Sequence, residues 1–123
     1  MRRAYLSLRN RFDRAGVLLS GLCAVHCLLG LVLVSALGAG GELLLAPEIH
    51  RYGLAVAIFI GAFTLGLGAL FHGRTSLLLL GGIGLCLMGG AIVVGHGVAE
   101  ALLTIAGVFL VGTAHLRNLR HAH

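Results

Sequence analysis

Polar and apolar positions divide this chain into four long apolar stretches separated by short polar breaks. No side chain between Arg14 and Glu42 carries a charge, and the helix inside that stretch is expected over residues 16–37. Further runs fall at residues 52–71, 76–95 and 97–115, the last interrupted by Glu100. A bilayer core needs about 20 apolar helical residues, so each run is long enough to cross once. Helix is required because backbone groups in lipid must bond within their own segment. The pattern predicts an all-α membrane protein, a compact antiparallel four-helix transmembrane bundle forming one domain over residues 1–123.

Composition supports a lipid solvent. Hydrophobic residues make up 59% of the 123 positions and charged ones 11%, too little polar surface for a soluble domain of this length. All nine positive charges are arginines, against four acids. They gather at the chain ends, which suits anionic headgroups and excludes the basic face that nucleic-acid binding needs. Three cysteines, deep in apolar sequence, do not make a secreted disulfide scaffold. The first run exceeds the ~7–15 residues of a signal-peptide core, so it is expected to remain as a span.

With four crossings, the N-terminus, the loop after the second span and the C-terminus share one side. Eight arginines lie there: Arg2, Arg3, Arg9, Arg11, Arg14, Arg74, Arg117 and Arg120, against Arg51 on the other. The positive-inside rule therefore predicts that both termini face the cytoplasm. Tyr5, Leu6, Leu8 and Phe12, alternating with arginines, suggest an interfacial basic segment before the first span.

Small residues mark the expected contact seams, since they let membrane helices approach closely. Gly16, Ser20, Cys23, Cys27 and Gly30 form one in the first span. Gly53, Ala57, Gly61, Thr64 and Gly68 form another in the second, and Gly97, Ala101, Thr104 and Gly107 a third in the fourth. The last two spans are separated by little more than Gly95, His96 and Gly97, which makes them antiparallel neighbours.

The stretch Cys23-Ala24-Val25-His26-Cys27 carries the chemistry. At about 100° per residue, positions 23, 26 and 27 share roughly a third of the helix circumference. Sulfurs one turn apart, on Cβ atoms about 5–6 Å from each other, are too far apart for good disulfide geometry. They suit two thiolates gripping one soft cation, with the imidazole as a third ligand or proton acceptor. The cluster lies about 10–17 Å beyond Gly16, near the bilayer midplane. A buried cysteine is often mere apolar filler, but a histidine at this depth needs a partner and marks function.

Other polar residues cluster at the span ends. Glu48 and His50 precede the second span, His96 and Glu100 open the fourth with one-turn spacing, and His72 and His115 lie at the inner end. These are expected as accessory groups. His121 and His123 are expected to be solvated, and Cys86, amid Gly84, Gly89 and Gly90, to be a packing residue.

These positions resemble the MerC family of mercury-resistance membrane proteins, in the branch whose first helix carries Cys-x-x-His-Cys. The matching pieces are Asp13, Gly16 and Ser20, then Leu22-Cys23-Ala24-Val25-His26-Cys27-Leu28, with Glu48, His50 and His72 around the second span. Glu100, Leu103, Thr104, Gly107 and the block from Ala114 to Arg120 complete it. The resemblance implies a small inner-membrane protein that takes up mercuric ion through cysteine thiolates, here Cys23 and Cys27, and hands it inward. The chain departs from mercury transporters with Cys-x-x-Cys in the first helix and cysteines in the tail. It has a histidine between its two cysteines, and His121 and His123 at its end.

The expected function is therefore membrane transport or binding of a soft divalent ion, most simply mercuric ion, with no enzymatic step and no resident cofactor. The expected partners are the lipid bilayer, the ion and a cytoplasmic thiol acceptor protein, with no nucleic acid. No P-loop is present to supply energy, so capture by cytoplasmic thiols would drive the movement. Two alternatives are a haem-binding or redox protein, from histidines on several helices, and a subunit that holds zinc or copper without moving it.

Overall fold

The computed structural model describes residues 1–37, 46–95 and 97–121, and four helices account for almost all of them. Helix α1 runs Arg2–Leu37, α2 Pro47–His72, α3 Thr75–Val94 and α4 Val98–Arg120. The helix α1 begins far ahead of the apolar run at Gly16, because the arginine-rich segment continues the same helix. Its 36 residues measure about 54 Å, well beyond the ~30 Å of bilayer hydrocarbon. Hydropathy marks where lipid begins, and backbone hydrogen bonding simply carries on past it. Likewise Glu48 sits in the first turn of α2 rather than before it, with Pro47 at the helix start, where a missing N–H costs nothing.

Three helices carry stretches long and apolar enough to span a membrane: Arg3–Leu33, Thr75–Val94 and Val98–Arg120. In α2 the described apolar stretch is Arg51–Leu67. Each helix packs on its sequence neighbours and α1 closes the ring on α4, giving an up-and-down bundle with α1 and α3 on one diagonal. The tightest pairing is α3 with α4, whereas α2 is the most loosely held. Gly73 ends α2 at φ 65°, donating its N–H to Ala69 O, a left-handed cap that a side chain would strain.

The distribution of side chains is inverted relative to a water-soluble protein. The largest fully buried side chains are Arg9, His115, Asn118, Thr64, Thr104 and Asp13, all polar. Leu18, Leu22, Val25, Phe59, Leu79, Val93 and Phe109 lie exposed on the outer surface. Such an exterior is stable only against acyl chains. Cys86 belongs to that exterior. It is exposed on α3, not packed between helices as its glycine-rich setting suggested.

Gly16, Cys27 and Gly30 of the first seam are buried, with Ser20 and Cys23 half-buried. In the second, Ala57, Gly61 and Thr64 are buried, while Gly68 lies outside the residues whose burial is described. In the third, Thr104 and Gly107 are buried but Gly97 is exposed in the turn. The closest crossing joins Gly107 to Gly84. A Cβ on Gly84 would come within 2.6 Å of the Gly107 carbonyl oxygen, and one on Gly107 within 2.5 Å of the Gly84 oxygen. Gly84→Ala is therefore expected to cost about 1–3 kcal/mol by forcing the backbones apart. Gly89→Ala, which meets nothing within 4 Å, should be neutral or mildly stabilising. Thermal unfolding of the two variants in mild detergent checks this, and equal midpoints would refute the crossing.

Candidate functional site

Helix α1 turns Arg9, Asp13 and Cys27 into the bundle, with Ser20, Cys23 and His26 half-buried, while Arg3, Arg11 and Arg14 stay exposed. Cys27 is 3% exposed and Cys23 half-buried, and Cys23 packs with Ala24 against Met88, Val108 and Val111. Because α2 is loosely held, a pocket of about 330 Å³ opens beside this stretch. Cys23, His26 and Cys27 all line it, together with Met88 of α3 and Thr104 of α4. The predicted trio thus borders one space. Among the described residues no three of His, Cys, Asp and Glu draw together as a ready-made metal cage. What the pocket offers a guest is two thiols, the thioether of Met88, the His26 imidazole and the Thr104 hydroxyl.

The accessory residues divide. Glu100 is 6% exposed, and both it and Cys23 lie within electrostatic reach of the Cys27 sulfur. Glu48 is exposed on the first turn of α2. The side chains of His50 and His72 lie outside the described set, as do His96 and His123 altogether. His121 is exposed at the end of α4.

His115 is the accessory residue with the most elaborate surroundings. It is 1% exposed, and its Nδ1 donates to Asp13 Oδ1 at 2.8 Å. Asn118 Nδ2 donates to the other oxygen of Asp13 at 2.7 Å, and Thr64 Oγ1, which donates to Ile60 O, stands 3.5 Å from Nδ1. A carboxylate only accepts, so Nδ1 must carry a proton in this arrangement. The opposite ring edge lies over Gly16: a Cβ there would meet Cδ2, Nε2 and Cε1 at 2.6–2.8 Å. Only glycine leaves room for the ring.

A narrow cavity of about 10 Å³, room for one water-sized guest, runs between these two places. Cys23, Met88, Ser20, Gly16 and His115 all line it. Leu19, Cys23 and Met88 are common to this cavity and the wide pocket. A helical Cα–Cβ bond tilts toward the helix N-terminus, so Cys23 leans toward Ser20 and Gly16.

Met88 was not singled out from sequence, and Asp13 and Asn118 entered only as positions of the family resemblance, with no part in a site. Met88 gave no local signal, being one apolar residue among many. Asn118 stands three residues after His115, hence on the same helix face, and that spacing was a usable clue. Asp13 lies one turn before Gly16 as the last acid ahead of the apolar run, a position that could have flagged a buried partner.

No curated protein and no solved structure matches the chain. The family model described as MerC mercury resistance protein matches residues 13–120. That match reaches from the Asp13 that clasps His115 to the last turn of α4, and the chain belongs to the MerC family, whose members are mercury-resistance proteins of the membrane.

Proposed function

We propose that this protein carries mercuric ion across the membrane by exchange between thiolates, with Cys23 and Cys27 as the donors. The observation that carries the reading is the position of Cys23, which borders both the wide pocket and the narrow cavity leading to His115. An ion entering beside α2 meets Cys27 and Cys23 as their thiols give up two protons, and mercury forms two Hg–S bonds. His26, on the same pocket, is placed to take one of those protons or to add a nitrogen donor.

Mercuric ion is content with two soft donors in a line, so a pair of sulfurs one helical turn apart suffices. A structural ion held for good would need a closed set of ligands. Two donors suit a cargo that must leave again. Exchange from sulfur to sulfur also avoids placing a bare divalent ion in hydrocarbon. Release is toward the arginine-rich end, past Ser20 and Gly16 to the clasped His115, where a cytoplasmic thiol takes the ion and returns protons to the cysteines. Glu48 and Glu100 stand at the entry end and His115 at the exit.

The direct test uses the full chain in sealed vesicles with a small thiol trapped inside and mercuric ion added outside. Transfer to the trapped thiol well above that of protein-free vesicles is the expected result. Equilibrium binding without transfer would instead mean a protein that holds its metal, with zinc or copper then the ions to assay. An absorbance spectrum of the purified protein separates out haem, which would announce itself by a Soret band.

A smaller effect is expected at Met88. Met88→Leu keeps the volume but removes the thioether from both cavities, so transfer should slow by a few-fold, roughly what one weak soft contact supplies, while folding is retained. An unchanged transfer rate would remove Met88 from the path.

A further inference from the structure

The end of the bundle that holds the start of α1 and the close of α4 has a charge imbalance that its own side chains do not resolve. Eight arginines belong to it and one acidic side chain, Asp13. Both oxygens of Asp13 are already engaged, by His115 and Asn118. The remaining acids, Glu42, Glu48 and Glu100, belong by sequence to the opposite end. The shortage is visible even inside the protein: Arg9 is 1% exposed, and none of its three guanidinium nitrogens meets an acceptor among the described residues.

Three of these arginines converge. Arg74, Arg117 and Arg120, with Ser76, Leu77 and His121, line an open pocket of about 410 Å³ between the start of α3 and the end of α4. Arg74 is held in place by neutral acceptors, with Nη1 3.5 Å from Asn118 Oδ1 and Nη2 donating to His121 O at 3.1 Å. None of the three is paired with a carboxylate among the described residues. Guanidinium groups gathered this way repel one another unless an anion lies between them, and their fork geometry matches phosphate oxygens. The first turn of α3 has no side-chain cap, which adds the positive end of a helix dipole.

We propose that this pocket binds the headgroup phosphate of an anionic phospholipid. Depth selects lipid over a free anion. Arg74 immediately precedes the apolar span Thr75–Val94, and Arg120 closes the span Val98–Arg120, so the pocket stands at headgroup level. Just inside it, Leu78, Leu79 and Leu116 are exposed, giving acyl chains an apolar wall directly beneath the phosphate. The inference concerns the arginine-rich end alone and is independent of the cargo.

The test uses the full chain purified in mild detergent, with lipid retention counted by native mass spectrometry and stability followed by thermal unfolding. Phosphatidylglycerol should be retained and should raise the unfolding midpoint, and phosphatidylcholine should do neither. Arg117→Gln with Arg120→Gln, both exposed and so harmless to packing, should lower phosphatidylglycerol retention by roughly thirtyfold and abolish its stabilising effect. Arg3→Gln with Arg11→Gln removes the same charge from exposed positions outside the pocket, and should lower retention no more than a few-fold. Equal losses in the two double variants would overturn the site in favour of diffuse attraction. So would undiminished retention in the first variant, or full displacement of the lipid by millimolar inorganic phosphate.

Discussion

A chain carrying Cys23→Ser together with Cys27→Ser should insert and fold like its parent yet deliver no mercuric ion. Serine matches cysteine in shape, and both positions lie on a helix that their neighbours already hold, so the cost to stability is small. The chemical loss is total: a hydroxyl stays protonated and is a hard donor, with little affinity for a soft ion. In cells lacking a mercuric reductase, expression of the parent should sensitise growth to mercury and the double variant should not. In vesicles the same comparison is made on the rate of transfer to a trapped thiol. The single variants separate two roles. Cys27→Ser removes a donor inside the wide pocket and should weaken capture. Cys23→Ser removes the sulfur shared with the narrow cavity, so it should also stop onward passage of whatever is captured. Wild-type transfer by the double variant would dismiss the thiolate route while leaving the fold untouched.

The largest loss of stability is expected from Asp13→Ala. That substitution strips the acceptor from two buried donors at once, His115 Nδ1 and Asn118 Nδ2. Removing one partner from a buried ionic or charge-assisted pair costs about 3–5 kcal/mol, because the survivor is left desolvated and unmatched. Asp13→Asn keeps the shape and one oxygen, so about 1–3 kcal/mol is expected instead. Loss of helical signal on heating in mild detergent measures both. The order matters as much as the size: an alanine variant as stable as the asparagine one would mean that the clasp joining α1 to α4 is already open to water.

The bundle was legible in the sequence because lipid imposes one rule on every exposed position, and four apolar runs obey it. Where that rule is silent, the reading fell short. Nothing in the hydropathy of Arg2 to Arg14 says that the helix continues through them, since helical backbone bonding carries on beyond the point where the apolar run stops. The short step across Gly95 to Gly97 did fix α3 beside α4, and the structure makes that pairing the tightest. The reciprocal approach of Gly84 to Gly107 was not foreseeable, because a short turn makes two helices neighbours without setting which faces meet or in what register. The same holds at the site. Cys23, His26 and Cys27 declare themselves by spacing along one helix. Asp13 meets His115 across 102 positions of chain, a pairing that only the antiparallel return of α4 creates. Cys86 misled for the opposite reason, since glycines beside a cysteine mark a helix that can pack without saying which side does.

The narrow cavity below Cys23 has a consequence for the cell that hosts the protein. A space for one water-sized guest, bordered by a ring that lies on a glycine backbone, has no room for sodium or potassium with its hydration shell. On the proposed thiolate route, only an ion that trades water for sulfur would get through, one at a time. A membrane crowded with copies of this bundle should therefore keep its sodium and potassium gradients.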